Sequence, residues 1–393
     1  MKNCIITPTF SGHFPFIPDY LKSFSKLAMD KNNFEICFTI SKSEAKDFDK
    51  IVAPFKDLNI HVLFFEDILE KFGVSSIPDK LLLKYGKFSF QTLKKFYTML
   101  YMGPDYRFLV LDSESILLKK CNINSMFDDF FAHPFISYSD MNKRLKTAKF
   151  MGEIKTNTAF ILQSEKVEKL WFLENFVWFY DYKILNDMFT KYGSPFDLIN
   201  KVYKDAFGKR NVGVFEIDLY QCFVYLNRKK YKYDVFDVDA MLEKATKADL
   251  YRKELVKRWG GNCGILERAT SILNAENIKG LAKQFKENHF NIIRVNETSL
   301  HNYKYQKAFL KVVDPYILAA SQDHMFGVKD VFKRRLYQVA KNSGWEKLVS
   351  HATLFIKPVA HFLQWLYQPI YLIINTLIFI VKFLLRITFV FKK

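Results

Sequence analysis

The sequence predicts an α/β protein in which helices cover both faces of a mostly parallel β-sheet, with a helical region at the C-terminal end. Over the first 165 of the 393 residues, short apolar runs alternate with segments whose apolar residues recur at helical spacing. The strand-like runs are continuously apolar, which is typical of parallel strands buried on both faces. The last 65 residues differ from the rest because they are both apolar and basic.

Six strands are predicted within this first part of the chain. Each is a short run of apolar or β-branched residues bounded by proline, glycine or polar residues. They span Asn3–Pro8, Phe34–Ile40, Ile60–Phe65, Tyr106–Leu111, Pro134–Ser139 and Thr158–Leu162. Two helices, Ile17–Ala28 and Gln91–Met102, place their apolar residues on one face, and Gly103-Pro104 ends the second of them.

The chain after residue 165 is predicted to be mainly helical and is rich in aromatic residues. The predicted helical stretches are Lys166–Gly193, Ser194–Gly208, Val214–Lys230 and Asp239–Trp259. We find no internal repeat and no long linker. We therefore expect one domain over residues 1–328, with halves 1–165 and 166–328, and a separate C-terminal region over residues 329–393.

One stretch, "YRFLVLDSESILLKK" at Tyr106–Lys120, carries a pattern with chemical meaning. Its two carboxylates, Asp112 and Glu114, follow directly after a strand that is predicted to be buried. In parallel sheets ligands bind beyond the carboxyl ends of the strands, where Thr7, Ser41 and Asp112 all fall. Carboxylate oxygens suit a hard divalent cation such as Mg²⁺ or Mn²⁺, which would bridge a diphosphate. The alternative is a turn that holds two solvated acids.

Three segments together resemble the GT-A-fold glycosyltransferases, which have a Rossmann-like sheet and use nucleotide-diphosphate sugars. They are Asn3–Phe10, Glu35–Ser41 and Gln91–Leu118, and the resemblance covers residues 3 to about 230. It is nearest to the type that builds bacterial surface polysaccharides. That family usually has Asp-x-Asp, whereas this chain has Glu114 in the last place, which puts metal dependence in question. The resemblance implies that residues 1–165 bind the nucleotide and residues 166–328 the acceptor.

The resemblance also implies roles for particular residues on the donor side. Asp112 and Glu114 would hold the metal, and Asp112 would also contact the nucleotide. The other implied nucleotide contacts are Thr7, Thr9, Ser41 and Lys95. For Lys94 and Lys95, which are adjacent, a solvated helix face is the alternative interpretation.

On the acceptor side the resemblance implies Asn157 and Thr158 as contacts of the acceptor sugar. It also implies a carboxylate base that takes the proton of the acceptor hydroxyl, for which Glu216 and Asp218 are the candidates. The alternative for this pair is an acidic helix N-terminus favoured by the helix dipole. The resemblance also allows a late histidine as a third metal ligand. The candidates, none of which is assigned, are His289, His301 and His324.

The basic charge of the chain is concentrated at its C-terminal end. The net charge is +18, and residues 329–393 hold eleven Lys and Arg against two acids, about half of that excess. Such asymmetry favours a membrane-binding tail and disfavours a nucleic-acid groove. Residues Pro358–Val381 lack a full charge over a length that would span a bilayer.

A polar stripe in this tail nevertheless favours an amphipathic helix that lies in the membrane interface. At about 100° per residue, eight polar side chains fall within about 40° of one line. They are Lys357, His361, Gln364, Gln368, Asn375, Lys382, Arg386 and Lys393. A transmembrane anchor and burial in a dimer are the alternatives.

The function expected from the sequence is metal-dependent transfer of a hexose-type sugar. The donor would be a nucleotide-diphosphate sugar, with UDP favoured, and the acceptor a lipid-linked or membrane-bound glycan or glycolipid. Scattered cysteines and an N-terminus without a long apolar run favour a cytoplasmic protein, peripheral on the anionic inner face of the cell membrane. A nucleotidyltransferase and a non-catalytic basic peripheral membrane protein are the alternatives.

Overall fold

The structure is a computed structural model that describes residues 1–117, 119–140, 149–172, 178–203 and 213–237, two later strands, and a few residues between them. All of these belong to one compact unit, Met1–Gly327. The C-terminal region, the three candidate histidines and almost all of the predicted helix Asp239–Trp259 lie outside the described residues. The division of the chain at residue 328 therefore stays a prediction.

A five-stranded sheet forms the centre of the fold, in the order β3-β2-β1-β4-β8. Its strands are β1 (Lys2–Pro8), β2 (Glu35–Ile40), β3 (Ile60–Phe64), β4 (Tyr106–Val110) and β8 (Phe179–Asp181). The first four are mutually parallel, while β8 pairs antiparallel with β4. Strands β1 and β2 are buried over almost their whole length, as expected for strands inside a parallel sheet that is covered on both faces. The predicted α/β class and the first four predicted strands are confirmed.

The sheet register brings the carboxyl ends of three strands to one edge. Ile6 of β1 lies beside Cys37 of β2 and beside Val110 of β4. The residues that follow these strands therefore emerge close together, and Thr9 and Asp112 are among them.

Helices cover both faces of this sheet. They are α1 (Ile17–Leu27), α2 (Ala45–Val52), α3 (Phe65–Lys71), α4 (Pro78–Met102), α5 (Ile123–Ala132), α6 (Lys149–Leu162), α7 (Tyr182–Tyr192), α8 (Pro195–Val202), α9 (Glu216–Leu226) and α10 (Arg228–Tyr231). Helix α1 confirms its predicted span, beginning with Pro at its second residue and burying Tyr20, Leu21 and Phe24.

Helix α4 is longer than predicted and passes through the interior. Gly86, at φ 75°, separates its first turns from a second part, and Gly103, at φ 91°, follows its last residue. Every residue from Thr92 to Met99 is buried, including Lys94 and Lys95. A helix buried on all sides has no solvated face, so the solvated-face interpretation of these two lysines is wrong.

Two other predictions from the sequence are also wrong. Thr158–Leu162, predicted as a strand, is the last part of α6. A short apolar run does not distinguish a strand from a buried helix, and here Ile154, Thr158 and Ile161 are buried at helical spacing. The predicted helix Lys166–Gly193 contains β8, because its aromatic residues complete the edge of the main sheet beside β4.

Two smaller sheets complete the described fold. One has the order β7-β6-β9, with β6 (Phe135–Asp140), β7 (Leu170–Trp171) and β9 (Asp234–Asp237). The predicted strand at Pro134–Ser139 is thus confirmed as β6, outside the main sheet. The other has the order β10-β11-β5, with β5 (Ser115–Leu117), β10 (Ile292–Val295) and β11 (Ile317–Ser321). Strand β5 begins directly after Glu114 and so fixes the far end of the Asp112–Glu114 turn.

Candidate active site

The Asp112–Glu114 turn is held from both ends and from the side. Leu111 N donates to Ile6 O at 3.0 Å, and Ser115 N donates to Asp112 O at 2.9 Å, which closes the turn. Ser113 is buried and its Oγ lies 2.8 Å from His13 Nδ1, while that nitrogen is 3.5 Å from Glu114 Oε2. The turn is therefore braced by the loop after β1.

The two carboxylates of the turn remain accessible while their surroundings are buried. The side chains of Asp112 and Glu114 are 26% and 17% exposed. Among the described residues, no group of three His, Cys, Asp or Glu side chains gathers to hold a metal. A metal at this turn would need further oxygen ligands besides these two carboxylates.

A buried lysine links the turn to helix α9. Lys95 Nζ lies 2.5 Å from Glu216 Oε1 and 3.6 Å from Asp112 Oδ1, and 4.7 Å from the centre of the Trp178 ring. Burial alone would lower the pKa of Lys95, but Glu216 and then Asp112 more than offset it, so that the pKa is raised. The lysine is held as a cation between the two carboxylates.

Glu216 has contacts on both carboxylate oxygens. Its Oε1 accepts from Lys95, and its Oε2 lies 2.9 Å from the Thr92 hydroxyl. Glu216 is also fully buried. This arrangement suits a residue that positions Lys95, and the predicted role of Glu216 as a base stays a prediction.

Asp218, the other candidate base, lies in a second cluster between α6 and α9. Its Oδ1 is 2.9 Å from Lys155 Nζ, and its Oδ2 accepts from the Thr158 hydroxyl at 2.8 Å. Burial alone would lower the pKa of Lys155, but the Asp218 carboxylate outweighs burial and raises it. All three side chains are fully buried. The cluster therefore has the character of a buried ion pair that fixes two helices.

The predicted acceptor contacts point into the protein. Thr158 belongs to the Asp218 cluster, and Asn157 Nδ2 donates to Gly213 O at 2.7 Å while the side chain is buried. Their roles as acceptor contacts stay predictions. The structure thus brings Asp112, Lys95 and Glu216 together, whereas Thr158 contacts Asp218 and Asn157 contacts the Gly213 carbonyl before α9.

The predicted nucleotide contacts surround the start of the site. Thr7 is buried, with its hydroxyl 2.8 Å from that of Tyr20. Ser41 N donates to Glu44 Oε2 at 3.2 Å, and Ser11 N donates to Glu44 Oε1 at 2.5 Å. Glu44 therefore connects the loop after β1 to the loop after β2. The roles of Thr7 and Ser41 in binding a nucleotide stay predictions.

Thr9 and Lys94 form a buried polar pair whose hydrogen-bonding groups are only partly used by the described residues. Lys94 Nζ donates to the Thr9 carbonyl at 2.7 Å, and no described carboxylate pairs with it. The Thr9 hydroxyl is buried, and the described residues offer it no hydrogen-bond partner. Burial lowers the pKa of Lys94 to about 8, although Glu44 and Glu66 partly oppose this. The Lys94 ammonium and the Thr9 hydroxyl therefore have hydrogen-bond donors that the described residues do not use, beside the carboxyl end of β1.

Sequence reasoning missed several residues of this region. His13, Lys155, Trp178 and Tyr180 have no motif, because their partners lie far away along the chain. Tyr180 is fully buried, and no described group hydrogen-bonds its hydroxyl. Burial and then the charges of Glu216 and Asp112 raise its pKa well above the ordinary value. Only His13 had a usable signal, a histidine in the loop directly after a predicted strand.

Comparisons with known proteins give fold-level likenesses only. No protein-family model matches the sequence, and no curated protein matches it significantly. Solved structures that match include mouse xyloside xylosyltransferase 1, at 12% identity over 61% of this chain and 86% of that chain, with a TM-score of 0.34. S. aureus TarS 1–349 in complex with UDP-GlcNAc matches at 16% identity over 80% and 82%, with a TM-score of 0.30.

A third match is core-mannan synthase A from Aspergillus fumigatus in its Mn/GDP form. It is 10% identical over 60% of this chain and 73% of that chain, with a TM-score of 0.34. Scores of this size are too low to carry an argument about shared activity. The function of this chain has to be inferred from its own residues.

The lowered pKa of Lys94 makes stability depend on pH in a defined direction. Between pH about 8 and the ordinary lysine pKa of 10.5, the unfolded chain binds more protons at this residue than the folded chain. The contribution of Lys94 to the free energy of unfolding therefore rises with pH across this window, by roughly 3 kcal/mol if complete. We expect Lys94→Met to remove this rise, as measured by denaturant unfolding from pH 7 to pH 9.5. Unfolding free energies of wild type and variant that run parallel over this range would contradict the assignment.

Proposed function

We propose that this chain is a metal-dependent glycosyltransferase that uses a nucleotide-diphosphate sugar. The observation that carries the proposal is the pair of partly exposed carboxylates, Asp112 and Glu114, at the carboxyl edge of a parallel sheet beside the buried cation Lys95. This combination suits a diphosphate, because it provides ligands for a bridging cation and a fixed positive charge together.

The donor set of the turn fits Mg²⁺ or Mn²⁺. Both cations prefer oxygen ligands, and Mg²⁺ is commonly held by one or two carboxylates together with substrate phosphates. Asp112 and Glu114 would hold the ion. When bound, it would neutralise negative charge on the diphosphate leaving group.

Lys95 is assigned to charge stabilisation at the same place. It is held as a cation, and Glu216 fixes its position through the 2.5 Å contact. A positive charge held in a buried setting stabilises developing negative charge more strongly than one in water, because the surroundings do not have to reorganise. We therefore propose Glu216 as a positioning residue for Lys95.

The buried polar pair of Thr9 and Lys94 is an argument for nucleotide binding at the adjacent strand ends. Among the described residues the Lys94 ammonium has one hydrogen-bond acceptor and the Thr9 hydroxyl has no partner, so both would gain from a ligand oxygen. Base or ribose oxygens of a nucleotide would supply it, with Ser41 at the neighbouring strand end. A UDP-sugar is the proposed donor.

The remaining parts of the reaction are proposed from the sequence. The acceptor would be a lipid-linked or membrane-bound glycan, contacted by Asn157 and Thr158, and the protein would lie on the inner face of the cell membrane through residues 329–393. Glu216 and Asp218 are the two candidates from the sequence for the base that accepts the proton of the acceptor hydroxyl. Their buried lysine partners favour positioning and structural roles instead, and turnover of their variants decides between these roles. No observation on the described residues favours a nucleotidyltransferase.

The metal carboxylates give the direct test. The full-length protein is screened with UDP- and GDP-sugars and Mn²⁺ for thermal stabilisation and for release of nucleotide. We expect Glu114→Ala to lose both effects at an unchanged melting temperature, since a partly exposed turn carboxylate contributes little to the core.

The matched control is Asp49→Ala, which removes an exposed carboxylate from α2. It should behave like wild type in both assays. If nucleotide release and thermal stabilisation are equal in wild type and Glu114→Ala, and EDTA changes neither, the metal has no part in the mechanism.

The role of Glu216 is tested by separating donor binding from turnover. If Glu216 positions Lys95, Glu216→Gln should weaken the donor Kd by about tenfold as well as lower kcat, since the lysine loses its nearest charge. Lys95→Met should also weaken donor binding and lower kcat. Glu216→Asp, which keeps a carboxylate, should lose less of both than Glu216→Gln. A base role instead predicts an unchanged Kd with kcat lowered by about 10² to 10⁴.

Asp218→Asn is the control for this comparison. It leaves the buried Lys155 without its carboxylate, so we expect a loss of stability of about 3–5 kcal/mol in denaturant unfolding. Turnover per folded molecule should stay near that of wild type. A stable Asp218→Asn variant with abolished turnover would instead identify Asp218 as the base.

A further inference from the structure

The beginning of helix α4 carries an exposed apolar surface. The helix starts at Pro78, directly after Ile77, and Gly86 separates its first turns from the buried second part. We call residues Ile77–Lys87 the entry segment. The break at Gly86 makes the entry segment run in a different direction from the part of α4 that holds Lys95.

The entry segment has one buried face, and its exposed face carries Leu82 and Leu83 together with charged residues. Leu81 and Tyr85 are buried against the protein. At about 100° per residue, Leu83 lies about 180° around the helix from that pair and therefore points straight outward. It is 89% exposed, while Ile77 is 53% and Leu82 41% exposed.

This exposure is concentrated in one part of the protein. Among the described residues, four of the eight exposed large hydrophobic side chains lie within Phe72–Leu83. Isolated exposed apolar residues need no explanation, but a cluster of them indicates an interaction surface. The cluster consists of Phe72, Ile77, Leu82 and Leu83.

Lysines are interspersed with these apolar side chains along the entry segment. Lys80, Lys84 and Lys87 are all exposed, and Asp79 is the one acid of the entry segment. Lys84 Nζ lies 4.8 Å from the centre of the Tyr85 ring, so its apolar stem runs along the protein surface. The entry segment therefore combines protruding leucines with a local excess of positive charge.

We propose that the entry segment inserts its leucines into the head-group region of an anionic phospholipid bilayer. Lysines suit this position because their stems follow apolar surface while their charges reach anionic head groups. Protein partners are disfavoured, since lysine is depleted in protein–protein interfaces. No helix among the described residues is long and apolar enough to cross a membrane. This contact is independent of glycosyl transfer and of the C-terminal region.

Hydrogen exchange of the full-length protein gives a local test. Exchange is compared without vesicles, with phosphatidylcholine vesicles, and with vesicles that contain phosphatidylglycerol. We expect peptides that cover the entry segment to exchange more slowly only with the anionic vesicles. Peptides from α6 should not respond, because they lack this combination of leucines and lysines.

Two variants make the test specific. Leu82→Ser combined with Leu83→Ser should weaken binding to the anionic vesicles by about tenfold, since two apolar side chains no longer leave water. The vesicle-dependent slowing of exchange in the entry segment should disappear. Phe160→Ser, which removes an apolar side chain that is 63% exposed on α6, is the matched control and should bind like wild type.

Three results would overturn the proposal. If the protein bound anionic vesicles while exchange in the entry segment stayed unchanged, the contact would lie elsewhere. If exchange in the segment were already slow without vesicles, another part of the chain would cover it. If exchange slowed with protein concentration and not with lipid, a second copy of the chain would be the partner.

Discussion

The arrangement of the site depends on one buried positive charge, the ammonium group of Lys95. A buried charge is costly unless it is paired and hydrogen-bonded. Glu216 at 2.5 Å and Asp112 at 3.6 Å supply the compensation, and they belong to α9 and to the turn after β4. Since the lysine belongs to α4, one requirement for charge balance fixes two helices and a strand end relative to one another.

Helix α9 is held at its N-terminal end by a second pair of the same kind. Glu216 and Asp218 are each paired with a buried lysine, the first with Lys95 of α4 and the second with Lys155 of α6. The acidic start of α9 is therefore explained by two ion pairs rather than by solvation or the helix dipole alone. Asp112 differs from both, because it lies near Lys95 and is still partly exposed to solvent. This difference separates the accessible side of the site from its buried support.

The parts of the fold that follow from local pattern were predictable. Strands β1 to β4 are mainly apolar runs with clear ends, so their order along the chain and the shared edge with Thr9, Ser41 and Asp112 follow from the sequence. The end of α6 was not predictable, because five apolar residues fit either a strand or a buried helix. The burial of Lys94 and Lys95 was not predictable either. It depends on partners that lie more than 80 residues away along the chain, Thr9 for Lys94 and Glu216 for Lys95.

The central claim is that Asp112 and Glu114 hold a divalent cation against the diphosphate of a nucleotide sugar beside Lys95. The most direct measurement is a crystal structure of the full-length protein with Mn²⁺ and a UDP-sugar, with anomalous diffraction recorded for manganese. The account predicts an anomalous peak between the two carboxylates, with diphosphate oxygens completing the coordination and Lys95 still paired with Glu216. A nucleotide bound elsewhere, or bound at this edge of the sheet with no manganese near Asp112 and Glu114, would contradict it.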